Sequence, residues 1–199
     1  MNGTFTSYAA VRMMPAGQVA RADHSAYRYR RRSGLYVSAR TADGEGEAYW
    51  FYGAKAVLRS PDGVLPVIIE HHVGPGAAAP LHLHNHVNDS FYLLRGQLAM
   101  RCGDDTFVAS AGDYVYLPKG VPHALTNAGA EEAVLLQTHD TDSFLTFIRR
   151  VGIPGDQPRP DPASLDYAAM NNEADATGQP VLGPPMSEEE ARTIIARGR

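Results

Sequence analysis

The sequence is poor in cysteine, in long apolar runs and in excess charge, and each shortage excludes a class of protein. Cys102 is the only cysteine, so no disulfide can form within the chain. No apolar run approaches the roughly 18 residues of a membrane span, and the first residues lack the pattern of a signal peptide. A net charge of −4 argues against a general nucleic-acid binder. These shortages predict a soluble cytoplasmic protein with neither a membrane nor a nucleic acid as partner.

Positive charge is concentrated near the start of the chain. Residues 1–40 contain seven arginines and one acidic residue, and "YRYRRRSG" places four of those arginines beside two tyrosines. We interpret residues 1–33 as an N-terminal arm that is solvated or packed on a partner. An anionic partner or a lipid surface is the alternative.

The sequence is rich in short apolar runs of strand length. Runs such as "LPVIIEHHV", "QLAMRC" and "AVLLQTH" alternate with turn signals such as "PDG", "AGD" and "PKG". Many short strands at close spacing predict an all-β sandwich or barrel. Residues 34–152 are therefore predicted to form a barrel with one flanking helix. Residues 153–199 are predicted to form a proline-rich connection and a C-terminal helix.

Two segments carry helical patterns. Four apolar residues share the spacing of one helical stripe: Phe144, Phe147, Ile148 and Val151. Thr141 or Asp142 would cap this helix and Gly152 would end it, and we expect it to lie against the outside of the β-structure. Ser187 and Glu190 form a capping-box pattern that begins a second helix near the end of the chain.

The most informative stretch is "GAAAPLHLHNHVNDSFYLLRG", residues 76–96, with three histidines on alternate positions. Because alternate side chains of a strand face one side, His82 and His84 are expected to point together. The composition around His86 predicts the end of the strand, so the direction of His86 is left open. Imidazoles beside a carboxylate, Asp89, are typical of a site for a divalent transition metal. The remaining histidines are interpreted as surface or core residues: His24, His71, His72 and His139.

A second element follows later in the chain. "GDYVYLPKGVPHALTN", residues 112–127, places His123 after a tight bend at residues 118–120. Together the two stretches resemble the two motifs of the cupin superfamily, and they cover about a quarter of the chain. The second motif matches without exception, whereas the first has Asp89 where cupins usually have glutamate.

The resemblance implies an all-β double-stranded β-helix, the cupin jelly-roll barrel, with one divalent transition metal inside its mouth: Fe, Ni, Mn, Co, Cu or Zn. By motif position, His82, His84 and His123 would be ligands. Asp89 is one methylene shorter than glutamate, so its role stays open. It would be a fourth ligand or a nearby base, or His86 would replace it as ligand.

Aromatic residues on the predicted barrel strands suggest a pocket for a flat ligand. The expected pocket residues are Trp50, Tyr52, Phe91, Tyr114, Tyr116 and Arg101. Arg101 is either an anchor for an anionic substrate or an ordinary exposed strand residue.

The chain looks like the single-domain cupins described as quercetin 2,3-dioxygenase-like. That likeness implies an oxidoreductase of secondary metabolism, a dioxygenase that acts on a small aromatic, enolic or polyketide-type metabolite and O2. One alternative is a non-oxidative metal cupin, an isomerase, cyclase or hydrolase that uses the ion as a Lewis acid. Another is a cupin that binds a small molecule without catalysis. Exposed edge strands further predict a homodimer.

Overall fold

A computed structural model of the protein describes residues 27–31, 34–38, 40–161 and 164–198. The chain divides into two compact units, residues 1–39 and residues 40–199. In the first unit, strands β1 (Tyr27–Arg31) and β2 (Gly34–Ser38) pair antiparallel. The other residues of the predicted arm, His24 among them, lie outside the described residues.

The second unit contains two antiparallel sheets. Its strands, in chain order, are β3 (Ala48–Phe51), β4 (Ala54–Leu58), β5 (Val67–Val73), β6 (Ala78–His82), β7 (Asp89–Arg95), β8 (Gln97–Cys102), β9 (Asp105–Ser110), β10 (Tyr114–Leu117), β11 (His123–Thr126), β12 (Ala133–His139), β13 (Ile153–Pro154) and β14 (Val181–Gly183). One sheet has the order β10-β7-β12-β5-β4-β3-β13, and the other has the order β14-β6-β11-β8-β9. This arrangement confirms the predicted all-β double-stranded β-helix.

The core lies between the two sheets. Along β5 the inward positions are Val67, Ile69, His71 and Val73, and the residues between them are more exposed. This period of two is the expected result of one buried face per strand. Phe91 of one sheet and Leu98 of the other belong to the same buried cluster. Apolar burial on both inner faces therefore holds the sheets together.

Helix α1 (Ser143–Val151) confirms the predicted apolar stripe, since Phe144, Phe147 and Ile148 are buried. Asp142 is the residue before the helix, but its side chain makes no capping bond. The helix ends at Gly152, where a Cβ would lie 2.5 Å from the Ile148 carbonyl oxygen. The expectation that α1 lies outside the β-structure needs correction. Its Phe144 ring packs on histidines of the barrel interior, with 4.7 Å between the Phe144 and His139 ring centroids.

Helix α2 (Tyr167–Ala176) replaces part of the connection that was predicted to be without helix. The side chain of Asp166 caps it by accepting a hydrogen bond from the Ala169 N–H at 2.9 Å. Only Met170 and Ala174 of the helix are buried. Because only these two residues form an apolar face, the sequence of this segment shows no apolar helical stripe.

Helix α3 (Glu188–Arg197) confirms the predicted C-terminal helix. The Ser187 hydroxyl accepts a hydrogen bond from the Glu190 N–H at 3.2 Å, which is the first half of a capping box. The Glu190 carboxylate pairs with Arg101 of β8 and so ties α3 to the sheet. Among the helices of the described residues, none is long and apolar enough to cross a membrane.

The turn between β7 and β8 depends on a close backbone approach at Gly96. Gly96 has φ +77°, and a Cβ there would lie 2.8 Å from the Ala133 Cα. Gly44 provides a matched control, because it has φ +73° and a Cβ there would meet nothing within 4 Å.

We expect Gly44→Ala to lower the free energy of unfolding by about 1–2 kcal/mol, the cost of a left-handed backbone. Gly96→Ala should lower it by about 1–3 kcal/mol more, because the added methyl group overpacks the contact with β12. Urea denaturation measures both losses. Equal losses for the two variants would contradict the close approach.

Candidate metal centre

Cross-strand pairing brings three histidines together. His82 ends β6 and His123 begins β11, and the two residues are direct partners across these strands. Their ring centroids are 4.4 Å apart. His84 lies two residues beyond His82, with its ring centroid 5.2 Å from that of His82 and 5.1 Å from that of His123. One ligand atom from each lies within 4.8 Å of the others.

The hydrogen bonds of these rings leave nitrogen lone pairs free for an ion. A carbonyl oxygen can only accept, so His82 Nδ1 donates to the Pro80 carbonyl at 2.8 Å, and His123 Nδ1 donates to the Val121 carbonyl at 3.0 Å. In both rings Nε2 is then the unprotonated nitrogen. Within the described residues, His123 Nε2 and both ring nitrogens of His84 are buried without a hydrogen-bond partner.

An ion would explain those unpartnered atoms. Each buried polar atom without a partner costs about 1–3 kcal/mol. Burial lowers the pKa of His82 and of His84 and lowers the pKa of His123 to about 3, so the three imidazoles are neutral at neutral pH. Neutral imidazole is the form that binds a metal. The residues present therefore fit a divalent transition metal held by three nitrogens.

A second cluster adjoins the first and shares His84 with it. Asp89 begins β7 and His139 ends β12, and the two residues are direct partners across these strands. Asp89 Oδ1 lies 3.3 Å from His139 Nε2, and both side chains are fully buried. Ligand atoms of His84, Asp89 and His139 also lie within 4.8 Å of one another. Asp89 thus faces the three-histidine group from the opposite sheet without belonging to it.

A buried chain of hydrogen bonds extends from Asp89 along the larger sheet. Asp89 Oδ2 accepts a hydrogen bond from Gln137 Nε2 at 2.7 Å. Gln137 Oε1 in turn accepts from His71 Nε2 at 2.6 Å, because this amide oxygen can only accept. Burial lowers the pKa of His71 to about 4, which keeps that ring neutral. The chain fixes the position of the Asp89 carboxyl group.

Sequence reasoning missed His71, Gln137 and His139. Each occupies an inward position on a strand whose other inward residues are apolar, as in "VIIEHHV" and "AVLLQTH". A buried polar side chain needs a partner, so a polar residue in register with a core face is the signal that would have found them. The interpretation as surface or core residues is confirmed for His71, a buried histidine bonded to Gln137, whereas His139 is buried with both ring nitrogens unpartnered among the described residues.

His86, the predicted alternative ligand, is exposed and belongs to neither cluster. The chain leaves β6 after His82, and the Asn85 N–H donates to the Gly178 carbonyl at 2.9 Å. His86 therefore does not continue the alternation that brings His82 and His84 together. Direct ligation by Asp89 stays a prediction.

A cavity of about 70 Å³ lies beside His82 and His123. Tyr52 and Phe91, both predicted pocket residues, line it. Lining residues that the prediction did not include are Phe51, His71, Phe144, Phe147 and Gln179. The walls are mostly aromatic and aliphatic, and α1, α2 and β14 contribute to them. The cavity is small beside the roughly 300–1,000 Å³ of ordinary ligand pockets.

Tyr114 and Tyr116 do not reach this cavity, and their assignment to the pocket needs correction. They are 65% and 52% exposed, because they occupy the outward positions of β10. Val115 and Leu117 take the inward positions and are buried. The strand was predicted well, but a short strand with aromatic residues on one face and aliphatic residues on the other does not reveal which face is inward.

Trp50 and Arg101 also lie elsewhere. The Trp50 indole N–H donates to the Gln157 carbonyl at 3.0 Å, and Lys55 lies over the ring at 5.5 Å from its centroid. Arg101 is bound to Glu190 of α3, outside the cavity lining. Neither side chain is available to a ligand in the cavity.

Comparison with known proteins agrees with this geometry. Residues 69–139 match the family model described as the cupin domain. This match supports the cupin superfamily. The matched residues include every member of both histidine clusters and of the hydrogen-bonded chain.

The individual curated relatives are distant. The chain is 29% identical over 70 residues to mannose-1-phosphate guanylyltransferase 2 of Escherichia coli O157:H7, covering 35% of this chain and 14% of that protein. It is 31% identical over 67 residues to the uncharacterized protein MJ1618 of Methanocaldococcus jannaschii, covering 34% of this chain and 54% of that protein. The chain thus spans about half or less of these curated relatives.

Among solved structures, KdgF from Halomonas sp. is 14% identical with a TM-score of 0.48, covering 54% of this chain and 99% of that chain. The cupin domain of Schizosaccharomyces pombe Cnp3 is 20% identical with a TM-score of 0.46, covering 60% of this chain and 85% of that chain.

We expect the purified protein to contain close to one transition-metal ion per chain, and His123→Ala to lose it. His123 supplies one of the three converging nitrogens, and a site with two remaining ligands binds weakly. Exposed His86 provides the control, and His86→Ala should keep the ion. Asp89→Asn should also keep it, since Asp89 lies outside the three-histidine group.

Plasma mass spectrometry of dialysed protein measures the metal content. Circular dichroism shows whether each variant keeps its fold. Equal metal loss in His123→Ala and His86→Ala would contradict the three-histidine site.

Proposed function

We propose that this protein is a metal-dependent cupin enzyme of the dioxygenase type that acts on a small enolic or aromatic metabolite. The observation that carries the proposal is the convergence of three neutral imidazoles beside a positioned carboxyl group, with two of the imidazoles, those of His82 and His123, lining an apolar cavity. Buried, unpartnered donor atoms of this kind are typical of functional sites rather than of structural cores.

Backbone carbonyl groups of the chain orient two of the proposed metal-binding histidines. The carbonyls of Pro80 and Val121 hold the rings of His82 and His123 with Nε2 free. When bound, a divalent transition metal would supply a Lewis-acidic centre with coordination positions that three protein ligands leave open.

Asp89 is suited to accept a proton from an enolic or phenolic hydroxyl. Its Oδ2 is occupied by the Gln137 amide, whereas Oδ1 has no hydrogen-bond partner among the described residues. A fixed carboxylate with one free oxygen is the geometry that general-base catalysis requires. The Nε2 atom of His139 lies 3.3 Å from that oxygen.

The cavity would keep water away from the reacting groups. Phe51, Phe144 and Phe147 contribute apolar walls, and exclusion of water protects reactive intermediates from side reactions. At about 70 Å³ the cavity favours a reacting group of one ring or less. The proposal is therefore for a small enolic or aromatic group at the site, and not for a flavonol as such.

A second candidate function is Lewis-acid catalysis without O2, as in an isomerase, cyclase or hydrolase. The observation in its favour is that Asp89 lies outside the three-histidine group. Three neutral ligands leave the positive charge of an ion uncompensated, as in the three-histidine zinc sites that polarise carbonyls and water. Dependence on O2 distinguishes this candidate from the dioxygenase.

We expect the metal-loaded protein to consume O2 in the presence of acetylacetone, a small enolisable diketone that suits the cavity. The measurement uses an oxygen electrode and product analysis by mass spectrometry, with metal-free His123→Ala as the control. Quercetin serves as the larger comparison substrate. Conversion under argon at the rate seen in air would contradict the dioxygenase and favour the Lewis-acid candidate.

We expect Asp89→Asn to lower kcat by about 10²–10⁴-fold, the usual contribution of a general base. Its metal content should not change, which separates a role as base from a role as ligand. Asp104, exposed in the turn after β8, provides a matched control, and Asp104→Asn should leave kcat unchanged. Loss of metal in Asp89→Asn would instead assign Asp89 to the ligands.

A further inference from the structure

A second hollow adjoins the cavity of the candidate metal centre. It is a surface groove of about 600 Å³, bounded by Tyr52, Gly53, Arg159, Tyr167, Asn171 and residues 181–185, and we call it the outer groove. Ala78 and Pro80 of β6, with Tyr52 and Val181, line both the groove and the cavity. The groove and the cavity are therefore neighbours that share these four residues as a common boundary.

Arg159 gives the outer groove its charge. It is the only charged side chain that lines the groove among the described residues. Its guanidinium group lies against two glycines, since a Cβ would lie 3.0 Å from Nη1 at Gly74 and 3.5 Å from Nη2 at Gly53. Within residues 40–161 and 164–198, no carboxylate forms an ion pair with Arg159. Among the described residues, the groove therefore presents a cation without an acidic ion-pair partner, close to the backbone of Gly53 and Gly74.

Tyr52 forms the wall between the groove and the cavity, in a strained conformation. Its φ is +44°, in the turn that joins β3 to β4, where asparagine or glycine is the usual residue. The hydroxyl donates to Asn171 Oδ1 at 2.8 Å, and the ring lies 6.1 Å from the Tyr167 ring between centroids. Burial raises the pKa of Tyr52 to about 12, so the phenol is neutral. Strain of this kind at a non-glycine residue is concentrated at ligand sites.

We propose that the outer groove binds the carboxylate of a substrate on Arg159, with the planar part of that substrate against Tyr52 and its reacting group in the cavity. The substrate class is then a small aromatic or enolic carboxylic acid. This inference rests on the proposed function, because it specifies the substrate of the same metal centre. It also replaces Arg101, which is neutralised by Glu190, as the candidate anion anchor.

The chemistry of the groove favours a carboxylate over a neutral ligand. An arginine without an acidic partner forms strong, often bidentate bonds with a carboxylate or a phosphate. The aromatic rings of Tyr52 and Tyr167 favour a flat apolar body beside that anion. The cavity holds only a small group, whereas the groove is large enough for the remainder of the ligand.

The test compares two probes of one shape, 4-hydroxybenzoate and its uncharged amide, 4-hydroxybenzamide. Isothermal titration calorimetry measures both affinities in wild type, Arg159→Met and Arg192→Met. Arg192 is an exposed arginine of α3 and controls for the loss of one positive charge. Each protein is also measured with His123→Ala in the same chain, so that binding of the carboxylate by a metal is excluded.

We expect wild type to bind the benzoate at least tenfold more tightly than the amide, with or without His123→Ala. Arg159→Met should abolish this preference, and Arg192→Met should retain it. The inference is overturned if wild type binds both probes equally. It is also overturned if the preference survives in Arg159→Met or is lost equally in Arg192→Met.

These outcomes separate the inference from the proposed function. If wild type prefers the carboxylate probe but does not consume O2, the anion site is supported and the dioxygenase proposal fails. If wild type consumes O2 with acetylacetone but shows no preference for the carboxylate probe, the proposed function is supported and the proposed role of Arg159 fails.

Discussion

The candidate site depends on one costly arrangement, the burial of imidazole nitrogens that have no hydrogen-bond partner. Among the described residues, His84 and His139 each have two such nitrogens and His123 has one. Protein interiors rarely leave polar atoms in this state, because their desolvation is not compensated. The apolar cluster between the sheets offsets the cost, and the Val121 carbonyl fixes the direction of the unpartnered Nε2 atom of His123. The core thus stabilises a set of donors that only a ligand can satisfy.

The two sheets contribute different parts of this site. The smaller sheet provides His82 and His123 as a cross-strand pair, and the larger sheet provides Asp89 and His139 as another. His84 lies between the pairs and belongs to both clusters. Because the pairs are on opposite sheets, a nitrogen-rich group and a carboxyl group face each other across the interior. This division places the Asp89 carboxyl group outside the three-histidine group.

The convergence of the three histidines could be expected from the sequence because the evidence for it is local. His82 and His84 alternate on one strand, and His123 lies in a motif whose bend returns the chain to that strand. The carboxylate partner network was not predictable in this way, because Gln137 and His71 meet only through pairing of β12 with β5. Strand pairing over such separations leaves no mark in a single stretch of sequence.

The sequence also did not show which face of each strand is buried. A strand pattern shows that side chains alternate, but which set is buried depends on the sheet it joins. Tyr114 and Tyr116 of β10 illustrate the problem, since the aliphatic residues between them form the buried set. Helix α2 was missed for a related reason, because most of its surface is exposed and its contacts are few.

Three features that lower the stability of this protein lie in one region of the structure. The Nε2 atom of His123, unpartnered within the described residues, lies at the cavity, and the strained backbone of Tyr52 lies at the boundary of the cavity with the groove. Arg159, which forms no ion pair with an acid of the described residues, lines that groove. A sequence under selection for stability alone would relieve each of these independently, with an apolar residue, a glycine and an acid. Because the groove and the cavity share a boundary, the single ligand proposed above, with a carboxylate at one end and a metal-binding group at the other, would satisfy them together.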